Sequence, residues 1–230
     1  MNDTTNKLTQ ADTVCHIVRS EILDGTLLPG AKLNIKALEA RIGVSLGAIR
    51  EALSRLSAEG MVVAEARRGY RVATVSKEEL LDLTKTRVEI ESLCLAQAMQ
   101  YGDVEWESRI VAAVHRMERL QDTSDAVEPR STLPWNEAHA EFHEALVSAC
   151  RSEWLLRLRL LLYRQSERYR LLSVPLGTDH RDVRQEHQIL VDAVLRRDEK
   201  AALEQLEVHF FATTKIILRS PLLAEADTDR

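Results

Sequence analysis

From Ser76 onward the chain offers no stretch with the two-residue alternation of a strand, while six apolar-periodic stretches follow one another, mostly with short gaps. That pattern confines the second two-thirds of the chain to helix packed on helix, as an antiparallel bundle. Ser76 and Glu79 make a capping box for a helix reaching about Met99, and a second helix spans about Val104 to Leu120. The polar run Gln121 to Thr132, with Pro129, reads as a loop. Pro134 then takes the first turn of a helix to about Ala149. Ser152 starts another, to about Leu172, and Pro175 and Gly177 break it. The last two run from about Asp179 to Arg196 and from Asp198 to Leu218.

The first 75 residues are patterned differently. Val14, Ile17, Val18, Ile22 and Leu23 repeat at helical spacing and stop at Gly25, and Leu27-Leu28-Pro29-Gly30 is a turn. A short helix follows at about Ile35 to Ile42. Ser45 sits where an N-cap belongs, before a third helix with Ile49, Ala52, Leu53 and Leu56 on one face. Met61 to Ala64 and Tyr70 to Ala73 are β-type runs around the basic turn Glu65-Ala66-Arg67-Arg68-Gly69. Helix, helix-turn-helix and hairpin in that order predict a winged helix-turn-helix, whose third helix enters the major groove of DNA. The expected architecture is mainly α, with a winged DNA-binding domain over 1–75 and an all-helical domain over 76–230, to which the family resemblance given below adds effector binding and dimerisation.

Charge supports that division. Residues 1–75 carry ten Lys and Arg against eight Asp and Glu, whereas the remainder carries 21 against 28. A mildly basic head on an acidic body suits a nucleic-acid-binding module joined to something else. The three cysteines, Cys15, Cys94 and Cys150, form no CxxC pair and read as thiols of a reducing compartment. The polar start MNDTTNKLTQADT has no apolar core of a signal peptide, and no apolar run is long enough to span a bilayer. The expected location is the cytoplasm, with no membrane partner.

Four histidines carry the remaining chemical signal. His139 and His143 are four apart and share a helix face, while His187 and His209 stand 22 residues apart on two later helices. Spacing alone leaves two readings open, a shared metal ion or ordinary solvated and core imidazoles. A zincin-type hydrolase needs H-E-x-x-H, but Ala140 follows His139, and Glu141 lies at another azimuth.

The stretch GVSLGAIREALSRLSAEGMV with RRGYRV resembles the winged helix of the GntR family of bacterial transcription regulators. TRVEIESLCLAQA, HAEFHEALVSAC and EHQILVDAVLRRDEKAALEQLEVH resemble the FCD effector domain of its FadR subfamily, and H-x-x-F-H with QSERYR looks most similar to the CsiR-type members. The resemblance implies DNA contacts from Lys36, Ser45, Arg50, Arg67, Arg68 and Gly69. Leu46, Gly47 and Ala48 depart from the family's Arg-Thr-Pro, which leaves the operator sequence open. It also implies a metal site of His143, His187 and His209, with His139 in the family's aspartate position. An all-histidine set favours zinc, or nickel, and the exchange of Asp for His leaves the metal more open to an anionic ligand. Arg87 matches a family arginine and would hold a carboxylate, or else pair with Glu91 one turn on, and Arg164, Arg168 and Tyr169 are further effector candidates. The implied function is a dimeric regulator, of repressor type, that binds a palindromic double-stranded operator and responds to a small organic acid. The alternatives are a metal-dependent hydrolase and a metal-free sensor of acyl ligands.

Overall fold

The computed structural model describes residues 9–66, 68–123, 132–173 and 181–219. They divide into two compact units, one ending at Ser76 and one starting at Lys77.

In the first unit, α1 (Gln10–Leu23) opens on Thr9. The Thr9 hydroxyl accepts from Asp12 N, and the Asp12 carboxylate accepts from Thr9 N, so two otherwise orphaned donors are satisfied together. Asn34 caps α2 (Ile35–Ile42), which stops at Gly43 in the left-handed region, φ +75°. Ser45 caps α3 (Leu46–Ala58), its hydroxyl accepting from Ala48 N at 3.2 Å. Val14, Val18, Ile22, Leu38, Ile49, Leu53 and Leu56 from the three helices meet Val62 and Val72 of the sheet in one apolar core. The sheet is antiparallel, in the order β1 (Lys32–Leu33), β3 (Gly69–Val72), β2 (Val62–Glu65). The sequence reading did not anticipate β1. Two residues are too few to show alternation, and the strand exists because Leu33 is buried opposite Tyr70 while Lys32, opposite Arg71, faces out. Gly69 opens β3 at φ +94°, a backbone angle that suits glycine at this turn.

The second unit is helical throughout its described residues: α4 (Lys77–Tyr101), α5 (Val104–Thr123), α6 (Leu133–Val147), α7 (Glu153–Ser173), α8 (Val183–Leu195) and α9 (Glu199–Leu218). Six helices at these places agree with the sequence reading to within a few residues. The loop around Pro129 and the break at Pro175 and Gly177 lie outside the described residues. The largest difference is α8, which starts at Val183 because the Asp182 carboxylate caps Gln185 N, rather than at Asp179. Thr132 caps α6, with Pro134 in its first turn, where a missing N–H costs nothing. Cys94, Leu95, Trp106, Ile110, Phe142, Leu146, Leu190, Val194 and Leu206 form the core.

One end of this core is locked by Arg197. Its guanidinium donates to the carbonyls of Met99 and Gly102, pairs with Glu107, and lies over the Trp106 ring, 4.9 Å from its centroid. Arg197 holds φ at +58°, unusual for a residue with a Cβ, and the four contacts offset that strain. Turn α8–α9 is thereby tied to the C-terminus of α4.

Candidate functional site

Helix α6 presents His139 and His143 one turn apart on its inner face, and α8 and α9 bring His187 and His209 to the same place. All four are buried, and one ring nitrogen from each lies within 4.8 Å of the others. The Nε2 atoms of His139 and His143 are 3.2 Å apart. Nitrogens about 2 Å from a tetrahedral zinc ion lie roughly 3.3 Å from one another, so this pair already has a ligand spacing and the others need to close modestly. His187 Nε2 is buried without a hydrogen-bond partner, which is the state of an atom that a metal would take. Burial pushes the imidazoles of His139, His143 and His187 well below their ordinary range, so they carry lone pairs rather than extra protons at neutral pH. Burial lowers His209 as well, against the opposing pull of Glu186.

His209 is oriented from behind. Its Nδ1 donates to Glu186 Oε2 at 2.9 Å, which fixes the tautomer that leaves Nε2 as the lone-pair nitrogen. Glu186 is gripped in turn by Arg181, through Nε at 2.7 Å and Nη2 at 2.6 Å. Burial alone would push the Glu186 carboxyl up, but the bonds from Arg181 and His209 outweigh it and hold the group at about 2. The residues present therefore fit a late first-row transition ion: four neutral imidazoles, one carrying the carboxylate support such ligands commonly have.

Beside the histidines lies a cavity of about 70 Å³, lined among others by His139, His143, His209, Arg87, Arg170 and Arg181. Trp135 stacks on His139 with ring centroids 4.9 Å apart, and its buried indole Nε1–H has no acceptor. Three arginines line this one small space, each also paired with a carboxylate: Arg87 with Glu91, Arg170 with Glu167 and Arg181 with Glu186. Such a space holds a few water molecules.

The effector candidates divide. Arg87 and Tyr169 both line the cavity. Arg87 also makes the ion pair with Glu91, Nε to Oε1 at 3.2 Å, the alternative that the sequence reading set beside an effector contact. Tyr169 is buried, and its hydroxyl donates to Glu79 at 2.7 Å. Arg164 is exposed and does not reach the cavity. The side chain of Arg168 lies outside the described residues. Ser166, Tyr169 and Arg170 are the described α7 side chains that line the cavity, a face set by the i, i+3, i+4 geometry, and Arg164 falls off it. Arg170 and Arg181 were missed by the sequence reading. Arg170 was within reach once the helix phase was known, whereas nothing local marks Arg181. Glu141, the near-miss for a hydrolytic base, is half-exposed and paired with Arg116 at 2.6 Å, away from the histidines.

In the first unit, ion pairing sorts the basic side chains. Arg19 pairs with Glu59, Arg41 with Glu21, Arg55 with Asp12 and Glu51, and Arg71 with Glu65. Lys36, Arg50 and Arg68 are exposed and carry no ion pair among the described residues, as does Lys32. Ser45 is also exposed, but its hydroxyl already serves as the α3 cap. Gly69 shapes the hairpin turn, and Arg67 lies outside the described residues. The candidates Lys36, Arg50 and Arg68 are thus cations with no internal use, carried by α2, α3 and the wing.

Residues 10–72 match the model of the bacterial regulatory proteins of the gntR family, and residues 82–212 match the FCD domain. The chain is 37% identical over 206 residues to the HTH-type transcriptional regulator BphR of Paraburkholderia xenovorans, covering 90% of this chain and 84% of that one. It is 35% identical over 207 residues to the HTH-type transcriptional repressor GlaR of Escherichia coli, covering 87% and 92%. Among solved structures, E. coli McbR/YncC has the same fold, with a TM-score of 0.73 at 18% identity over 92% of this chain and 98% of that one. No described helix is long and apolar enough to cross a membrane. The chain belongs to the GntR family, its second half an FCD domain, and is a DNA-binding transcription regulator rather than an enzyme.

Proposed function

We propose that this regulator is a homodimeric repressor whose four-histidine centre holds one divalent transition ion, zinc or nickel, and whose operator affinity changes when a small carboxylate enters the adjoining cavity. The observation that carries the reading is the convergence of four buried imidazoles with Arg87, Arg170 and Arg181 around one small cavity. The ion would supply a positive charge and an open coordination position for an acid oxygen. Arginine side chains supply direction, since their planar forks match carboxylate geometry. GlaR is named a repressor, and its extensive similarity supports the same sign of regulation here. An exposed stripe on α7, Trp154 at 71%, Leu158 at 43% and Leu161 at 47%, repeats every three to four residues and supports burial against a second copy. A dimer would present two winged helices to a palindromic operator in the cytoplasm.

The test is a thermal-shift screen of short mono- and dicarboxylates on metal-loaded protein. Acids of up to about six carbons are expected to raise the melting temperature and long-chain fatty acids to leave it unchanged; the reverse would sink the reading. Operator contact has its own check. Arg50→Ala is expected to weaken binding to a palindromic duplex by about 5- to 150-fold, the equivalent of 1–3 kcal/mol for a lost base-directed arginine. Arg41→Ala, whose partner Glu21 already holds it, should stay within about twofold. Equal losses from the two variants would show that unpaired charge does not mark the contacts.

A further inference from the structure

Between α4 and α7 lies a buried charge cluster that is one acceptor short. The Glu91 carboxylate, 1% exposed, serves two guanidiniums: Oε1 accepts from Arg87 Nε at 3.2 Å and Oε2 from Arg159 Nε at 2.8 Å. Arg159, 6% exposed, leaves its Nη2 buried with no acceptor. A buried arginine and carboxylate ordinarily meet as a two-bond fork, through Nε and Nη2 on one side and both oxygens on the other. That fork is incomplete at Arg159 because Oε1 is turned to Arg87. Two positive charges on one carboxylate also leave the cluster with a net charge out of water, which is costly. Of the three residues, only Arg87 lines the cavity. Its Nη1 donates to Ser166 Oγ at 2.7 Å, and its guanidinium lies over Phe210, 4.0 Å from the ring centroid.

We propose that Arg87, Glu91 and Arg159 form a two-position relay that reports occupancy of the cavity to α7. A carboxylate entering the cavity takes over Arg87; Glu91 Oε1 then turns to Arg159 Nη2 and completes the fork. The incoming acid supplies the missing acceptor and balances the charge, so each arrangement is satisfied in its own way and the two are discrete. Such a bistable element is what lets a ligand bias a distant equilibrium. Arg159 stands beside Leu158 and two residues before Leu161, members of the outward stripe on α7, so the tightened pair acts on the helix offered above as the dimer face. The inference rests on the reading of the cavity as a carboxylate site, but its link between Arg87 and α7 can be tested without any ligand.

Removing Arg87 should do what the acid does. In the whole chain, metal-loaded, Arg87→Gln without ligand is expected to bind an in vitro-selected palindromic duplex with the affinity of wild type saturated with glutarate, taken as a probe short dicarboxylate, a shift of at least tenfold from ligand-free wild type. Glu91→Gln is expected to bind glutarate at least as tightly as wild type, by calorimetry, while its DNA affinity responds to the acid less than twofold. If one variant fails to fold, as read by circular dichroism, the other still decides. A residue that merely holds ligand would leave Arg87→Gln at the ligand-free affinity; that result, or a full acid response in Glu91→Gln, overturns the relay while the proposed function stands. A wild type insensitive to glutarate and the other short acids, with Arg87→Gln still shifted tenfold, overturns the carboxylate reading and keeps the relay.

Discussion

Stripping the metal from purified protein with a chelator is expected to lower the melting temperature of the helical half by roughly 5–10 °C, and His143→Ala is expected to abolish that difference. The size follows from linkage. A ligand present at a hundred times its dissociation constant stabilises by about 2.7 kcal/mol, and a domain of this size gains about 2–4 °C per kcal/mol. Without an ion, His187 Nε2 remains buried without a partner, so the stripped centre has little to offset the loss. Elemental analysis should find about one zinc or nickel ion per wild-type chain and less than a tenth of that in His143→Ala. His139→Asp should retain the ion and His139→Ala should lose it, since His139 Nε2 sits at ligand distance from His143. Wild-type protein that melts identically with and without chelator, and takes up neither ion on reconstitution, would falsify the metal centre.

Gly102→Ala is expected to be the most damaging added methyl among the glycines at positions 25, 30, 43, 47, 69 and 102, costing more than about 3 kcal/mol and yielding insoluble or molten protein. A Cβ there would stand 2.2 Å from Trp106 Cε3, 2.5 Å from Cδ2 and 2.7 Å from the Ala98 carbonyl oxygen. None of these can yield cheaply. Trp106 is fully buried and anchored through its indole N–H to Ala145 O at 2.9 Å, and the Ala98 carbonyl already accepts from Gly102 N. Arg197, clamped on Gly102 O and the Trp106 ring, would be displaced with them. Gly47→Ala is the control, because its Cβ would meet only Ser45 Oγ at 3.8 Å. Urea denaturation of the two variants measures the contrast, and a Gly102→Ala protein within 1 kcal/mol of wild type would show that the α4–α5 turn can relax.

Much of this architecture was legible before any coordinates. Ser45 and Asp198 announce helix starts because their side chains replace a backbone acceptor that the first turn lacks, an interaction confined to a few residues, whereas the caps Asn34 and Thr132 showed only in the fold. The histidine quartet was legible for a different reason: the i, i+4 pair shares a face on any helix, and the family resemblance supplied His187 and His209. Lys32–Leu33 was not legible, because its pairing partner lies some forty residues on and two residues have no period of their own.

What the chain determined alone was its division into a three-helix winged unit and a helical bundle, and the pairing of His139 with His143 on one helix face, since these depend on local caps, period and composition. Tertiary structure decided which way each helix faces its neighbours. Turning α7 so that Ser166, Tyr169 and Arg170 line the cavity leaves Arg164 in solvent, and the fold carries Arg181 in from the α8 entrance to orient Glu186 and His209. It also set Arg87 and Arg159, 72 positions apart, on the two oxygens of one carboxylate. The physical reason is the same in each case: a helix fixes the angles among its own side chains, but only packing against other helices fixes its rotation, and a buried charge acquires its partner from whatever that rotation brings within about 3 Å.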